Sequence, residues 1–454
     1  MTLRRRFLAA AVLAVAACRP ASLPELFRRT TGEVRLPAGT FELASEIRIP
    51  TGAHDLVISG SPEGTTLRAA PGFEGRALLY VENAERVTIR NLTIDGNREA
   101  LARARGLPPS DVRFIEFHEA NGIAADNVRG LVIEDVRFTG VAGFAVLVAR
   151  SRNVSIRRVE VRASGSRNER GKNNTTGGIL FEDGTCGFRV EDSTFEDISG
   201  NAVWTHSRYT APRNCDGLVR GNHFSRIGRD AIQIGHATRV RVEENTGERI
   251  GFPLEVVDVA GGAIPVAIDT SGNVDHSVYA RNRFEEINGK CIDLDGFHHG
   301  EVAGNACINR GRAADYPFAG YAIVMNNTNP DMQSEGIVIR GNLVDGSKFG
   351  GVFVIGRGNQ VTGNRLLNLN KAGCNENAAL YGCLHFPDEP DLLQSGIYLG
   401  KRAERPAPAR DNVIEGNVIT GYKMSERCLG FAPGIRRADN RIGSNDCRDA
   451  PAQP

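Results

Sequence analysis

Aromatic residues make up only 6% of this 454-residue chain, with a single Trp. A core built from it must therefore stack mostly Val, Ile and Phe. Excess charge is missing too. Lys and Arg number 55 against 54 Asp and Glu, for a net charge of +1. Overall charge thus points to no nucleic acid partner and no strongly acidic polymer. Beyond Ala17 no apolar run is long enough to span a membrane. Nine cysteines are present without one Cys-x-x-Cys spacing, which argues against a zinc site. Glycine, by contrast, is plentiful at 52 residues, as suits a fold made of bends.

A six-residue pattern recurs eleven times: aliphatic, two polar, a small or turn-type residue, any residue, apolar. It reads IRNLTI (89–94), IEDVRF (133–138), IRRVEV (156–161), VEDSTF (190–195), VRGNHF (219–224), VEENTG (242–247), YARNRF (279–284), VAGNAC (302–307), IRGNLV (339–344), VTGNRL (361–366) and IEGNVI (414–419). Only VEENTG lacks the final apolar residue. Several repeats are one short turn apart, as from Asn222 to Asn245, Asn282 to Asn305 and Asn342 to Asn364. A short fixed period with strand-like content predicts a solenoid, in which each coil buries its apolar residues by stacking on its neighbours. The fold class expected is all-β: a single-stranded right-handed parallel β-helix of about a dozen coils with loop excursions. Asn222, Asn245, Asn282, Asn305, Asn342, Asn364 and Asn417 share one position of the repeat. They are expected in a row at one bend, where Asn tolerates left-handed angles and stacked amides can bond up the ladder. That reading outweighs a catalytic role for them.

The stretch from Met1 to Cys18 has the make-up of an export signal: Arg4, Arg5 and Arg6, then an apolar run from Phe7 to Ala17. Arg4-Arg5-Arg6-Phe7-Leu8 resembles the twin-arginine motif, although ordinary signals also carry three arginines. Val15-Ala16-Ala17-Cys18 resembles a bacterial lipobox, which would make Cys18 the lipid-bearing residue; the alternative is a plain cleavage site. Eight further cysteines, an even number, suit an oxidising compartment. The separation of Cys186 from Cys215 equals that of Ser193 from Asn222 in their host repeats. The two cysteines should occupy one position on consecutive coils, close enough for a disulfide. Cys374 can close a small loop with Cys383, and Cys428 can staple the tail to Cys447. Cys291 and Cys307 are not in equivalent positions and are left as a pair or as free thiols.

GEVRLPAGTFELASEIRIP (32–50) resembles the opening segment of pectin-lyase-like proteins. With the repeats, it makes residues 32–420 similar to the right-handed parallel β-helix superfamily of pectate lyases and polygalacturonases, closest to exported bacterial β-helix repeat proteins. The domain reading is a signal at 1–18, a linker at 19–31, the β-helix at 32–420 and a capping tail at 421–454. Excursions are expected at 98–113, 163–177, 207–216, 249–265, 310–319, 326–335, 370–394 and 401–411, where loops on one edge can wall a groove. The resemblance implies polysaccharide as partner, monomer or homo-oligomer as state, and membrane contact only through the lipid anchor. It is specific for fold and weak for chemistry. The polygalacturonase Gly-His-Gly and Arg-x-Lys signatures are absent, as is the pectate-lyase Arg-x-Pro-x-x-Arg arrangement.

A second strand in each coil supplies an outward stripe. Alternation puts Ile179, Val203, Ile232, Ile268, Ile292, Ile323, Phe353 and Ile397 inside. One outward column then reads Leu180, Trp204, Gln233, Asp269, Asp293, Val324, Val354, Tyr398, and the next Glu182, His206, Gly235, Ser271, Asp295, Asn326, Gly356, Gly400. The middle coils thereby gather acids, a His and the only Trp. The expected catalytic set is Asp269, Asp293, Asp295, His206 and Glu182. Trp204, Gln233, Asn326, Lys290 and Tyr398 would contact substrate. Close carboxylates either share a proton or bind a cation, so Asp269, Asp293 and Asp295 are also a candidate Ca²⁺ site. The acid pair suits a glycoside hydrolase, and a bound cation with His206 as base suits a lyase. The alternatives are a non-catalytic glycan- or partner-binding solenoid and a plainly structural one, with the stripe an ordinary solvated face. His298 and His299, just after Asp295, are read as a turn rather than as metal ligands.

Overall fold

In the computed structural model, residues 23–104, 106–327, 331–374, 383 and 389–454 are described. The signal segment and Cys18 lie outside them, as do parts of the 326–335 and 370–394 excursions. The chain winds into a single-stranded right-handed parallel β-helix. Three parallel ladders run its length. The first ladder passes through Ile179–Glu182, Val203–His206, Ile232–Thr238, Val266–Asp275, Lys290–His298, Ile323–Asn326, Val352–Val354 and Ile397–Leu399. The second holds Arg189–Glu191, Leu218–Arg220 and Arg241–Glu243. The third holds Thr194–Ile198, His223–Ile227 and Thr246–Ile250. Each coil thus has three strands, one more than the sequence pattern isolates.

The asparagine row forms as expected at the bend between second and third strands. Asn245 Nδ2 donates to Asn282 Oδ1 at 2.9 Å, Asn282 Nδ2 to Asn305 Oδ1 at 2.8 Å, and Asn305 Nδ2 to Asn342 Oδ1 at 2.9 Å. The row ends on Asn445. One detail of the expectation is corrected. The left-handed angle belongs to the preceding residue, such as Gly221 (φ 67°), Arg281 (φ 56°) or Gly304 (φ 64°), and not to the Asn. The Asn side chain is needed there as a donor and acceptor between coils. A second row, Asn359, Asn412 and Asn440, lines the bend between first and second strands.

Inside, like residues stack. The rings of Phe195 and Phe224 lie 5.1 Å apart and nearly parallel. The Gly that breaks the VEENTG repeat has its reason here. Gly247 lies between Phe224 and Phe284, and a Cβ on it would come within 2.6 Å of the Phe284 ring. Phe284 fills that space and reaches to 6.2 Å from Phe224.

Three boundary readings change. Residues 421–454 supply one more coil: Leu429–Phe431, Arg441–Ile442 and Asp446–Asp449 extend the three ladders. At the other end, Phe27 is buried against the core, so the described part of the expected linker, residues 23–31, packs on the coils. In the first ladder the register puts Val352, not Phe353, in line with Ile323 and Ile397. Phe353 therefore stands in the outward column on the ring of Tyr398, at 5.9 Å, and Val354 and Gly356 leave the positions assigned to them. A run of Val, Phe, Val and Ile has no polar residue to mark which side faces out.

All four disulfides are formed: Cys186–Cys215, Cys374–Cys383, Cys428–Cys447 and Cys291–Cys307. The last joins a first-ladder strand, Lys290–His298, to a third-ladder strand, Ala306–Ile308, which spacing alone could not pair. The excursions gather on both edges of the first ladder. Those at 98–113, 163–177, 249–265, 310–319 and 370–394 come before its strands, and those at 207–216, 326–335 and 401–411 after them. Among the described residues no helix is long and apolar enough to cross a membrane.

Candidate active site on the first face

The N-terminal half of the outward column is roofed. The excursion after residue 97 ends in a helical turn, Phe114–Phe117, that drops Phe114 and Ile115 onto Leu147, Leu180 and Trp204. The Phe114 and Trp204 rings meet edge-on at 5.0 Å. Glu182 lies beneath, buried, and accepts the backbone N–H groups of Phe114 at 2.6 Å and Ile115 at 3.2 Å. Burial pushes its carboxyl up to about 7. Arg208 ties the far side, pairing with Asp183 at 2.7 Å and donating to the Asp111 carbonyl at 2.9 Å. The roof thus crosses the face from one edge to the other. His206 packs against Phe114, with ring centres 5.0 Å apart. Burial, with the nearby His236, lowers it to about 4.

Glu182 and Trp204, expected in a groove, are therefore parts of an apolar seam. The reason lies in the excursion at 98–113. Its prolines mark a loop, and nothing in them tells where Phe114 will land. Tyr398 is likewise enclosed, with its hydroxyl 3.2 Å from the buried Glu389.

The middle coils bring three acids together. Ile268 pairs with Ile292, which sets Asp269 beside Asp293 one strand further on. A chain of side-chain amides leads to them: Asn201 Nδ2 donates to Gln233 Oε1 at 2.6 Å, and Gln233 Nε2 to Asp269 Oδ2 at 2.6 Å. Lys290 forms an ion pair with Asp293 Oδ2. Asp293 Oδ1 is buried without a hydrogen-bond partner among the described residues. Asp230, which the alternation did not single out, belongs to the set. It accepts from the Val266 N–H at 3.0 Å, and burial raises its carboxyl to about 6. Burial, with Asp230 and Asp293 nearby, raises Asp269 well above the ordinary carboxylate range. Burial works against the charge on Lys290, but Asp293 and the other acids hold its pKa above the usual lysine value. The one sequence signal for Asp230 was a charged pair, Arg229-Asp230, directly before a first-ladder strand.

The expected solvent-facing stripe is therefore nearly sealed: Asp269 is 9% exposed and Asp293 7%. Asp295 and Asn326, in the next column, are partly exposed and paired in register. Among the described residues no three His, Cys, Asp or Glu side chains stand together in metal-holding geometry. His298 and His299 face each other at 3.1 Å, His298 also meeting Asn273 and His299 lying 3.7 Å from Glu335.

Fold and site define a parallel β-helix with a partly roofed face and a buried acid row. The family model described as a right handed beta helix region matches residues 72–216. Among solved structures, PfbA, a surface adhesin of Streptococcus pneumoniae, is similar at 14% identity and a TM-score of 0.55, over 75% of this chain and 84% of its own. DFA-IIIase from Arthrobacter chlorophenolicus A6, in complex with GF2, is similar at 13% identity and a TM-score of 0.50, over 93% and 88%. At these identities the likeness is one of fold. No curated protein sequence matches the chain.

Proposed function

We propose that this is an exported β-helix protein acting on polysaccharide, with Asp269 and Asp293 as its working pair. The observation that carries the reading is the unlike state of two neighbouring carboxyls. Burial and the acids beside it shift Asp269 toward its protonated form, while Asp293 is ion-paired with Lys290 and has an oxygen to spare. Adjacent strands are about 4.8 Å apart, close to the ~5–5.5 Å between carboxyls in glycosidases that retain configuration. Asp269 gives its proton to the glycosidic oxygen as Asp293 Oδ1 attacks the anomeric carbon; water then releases the sugar, with Asp269 as base. Substrate gains the pair by displacing Lys290, whose side chain is 32% exposed. Asp295 and Asn326 offer polar contacts at the rim. The same fold in a surface adhesin and in DFA-IIIase is in keeping with glycan binding or turnover. Four disulfides suit an oxidising compartment. Export through the N-terminal arginines and a lipid on Cys18 complete the reading; mass analysis of the exported protein's first residue tests both.

A non-catalytic glycan-binding role is the second reading, favoured by the low exposure of both carboxylates. The two separate in a screen of neutral and uronate-containing polysaccharides. New reducing ends without unsaturated-product absorbance are expected. Asp269→Asn and Asp293→Asn should each lower turnover by ~10²–10⁴-fold with the fold intact. Unsaturated products would instead make it a lyase. Binding without turnover, unchanged in both variants, would leave the acid row a structural feature.

A further inference from the structure

A hollow of about 330 Å³ lies at the leading edge of the first face, apart from the acid row. The 98–118 excursion forms one side through Leu101, Arg103 and His118; the coils form the other through Phe73, Glu74 and Ala142. Leu101, Phe73 and Ala142 are buried and give it an apolar part beside the polar Ser166 and Thr176. The His118 ring is fixed between Phe114 at 5.4 Å and Phe144 at 5.3 Å.

Three charged side chains line this hollow, Glu74, Arg103 and Glu119; Glu119 has a partner of its own, and among the described residues no ion pair joins Glu74 to Arg103. Among the described residues the Glu74 carboxylate takes part in no side-chain hydrogen bond or ion pair. Arg103 is held by Nη1, which donates to the carbonyls of Ala100 at 3.3 Å and Ala102 at 3.1 Å. Its Nε and Nη2 remain for a ligand, and no carboxylate among the described residues pairs with it. The volume is at the small end of the ~300–1,000 Å³ typical of small-molecule sites, too little for a glycan chain.

We infer that this hollow binds a small zwitterion of the amino-acid or dipeptide class, its ammonium on Glu74, its carboxylate on Arg103 and its apolar part against Leu101 and Ala142. A guanidinium takes a carboxylate through two parallel hydrogen bonds, and charge-assisted bonds of this kind are about twice as strong as neutral ones. A neutral sugar would meet both groups through hydroxyls alone, with no opposite charge for either.

The test is calorimetric titration of the full chain with L-alanine and L-alanyl-L-alanine, and with ethylamine, propionate and glucose as controls. At least one zwitterion should bind more tightly than every control. Glu74→Gln and Arg103→Met should each weaken it at least tenfold; both residues are exposed, so thermal stability should hold. Asp269→Asn should leave this binding unchanged, which separates the site from the acid row. Absence of zwitterion binding at millimolar concentration, glucose binding as tightly as the zwitterions, or variants that bind like wild type would overturn the proposal.

Discussion

Glu182 and His206 both meet Phe114, one through its backbone N–H and the other through its ring, and respond to pH in opposite senses. The Glu182 carboxyl is raised to about 7, so the folded state holds a proton that the unfolded chain releases near 4.5. Its contribution to stability is therefore lost as pH rises from about 4.5 to 7, by about 3 kcal/mol. His206 is lowered to about 4, so its contribution is present above 6.5 and lost as pH falls toward 4. The two slopes oppose each other across one window. Relative to wild type, Glu182→Gln should gain stability as pH rises from 4.5 to 7, and His206→Asn should lose it. Urea unfolding at several pH values reads both; parallel curves for all three proteins would mean that neither group titrates in the fold. In the asparagine row, Asn282 donates to the Val242 carbonyl and to Asn305 while accepting from Asn245. Asn282→Ala leaves several buried groups unsatisfied and should cost on the order of 3 kcal/mol. A loss within the error of denaturant unfolding would mean that water replaces the amide.

The element that most shapes the candidate site is the roof over the first face. Three anchors hold it: the apolar contacts of Phe114, the N–H groups given to Glu182, and the Arg208 ties to Asp183 and Asp111. Phe114 is 2% exposed and central to its cluster. Phe114→Ala should remove about 3 kcal/mol of roof stability while the coils beneath keep their own hydrogen bonds. Hydrogen exchange should then rise across 98–118 and leave the strands at 146–149 and 179–182 protected. Equal acceleration in those strands would make the roof part of the coil's own core. A companion lock stands at the next pair of excursions, where buried Asn173 bonds the carbonyls of Gly228 and Ala263 and accepts from the Asp258 N–H.

At the scale of the molecule the strands of each coil pair only with those of its neighbours, so stability is close to a sum over coils and interfaces, with the roof and the Asn173 lock adding ties between coils further apart. The end coils lack one neighbour. Protection against hydrogen exchange should be highest in the coils around Asn245–Asn305 and fall toward Gly32–Arg35 and Asp446–Asp449. Uniform protection along the chain would show that the coils unfold as one unit.

The solenoid, the asparagine row and three of the disulfide pairs were legible in the order of residues. A side chain repeated at each turn must meet its copies, so period alone fixes the asparagine row and Cys186–Cys215, while Cys374–Cys383 and Cys428–Cys447 follow from short separations in the chain. Period also set Asp269 beside Asp293, since both follow a core isoleucine on consecutive strands. Tertiary structure decided what lies over them. The sealing of Trp204 by Phe114, the joining of Asp230 to the acid row and the pairing of Cys291 with Cys307 depend on excursions and bends outside the repeat. Phe353 turned outward because an unbroken apolar run carries no alternation, and only stacking on Ile323 and Ile397 sets its register. Periodic positions are dictated by their copies, whereas a loop's landing place is set by whichever surface the neighbouring coils present.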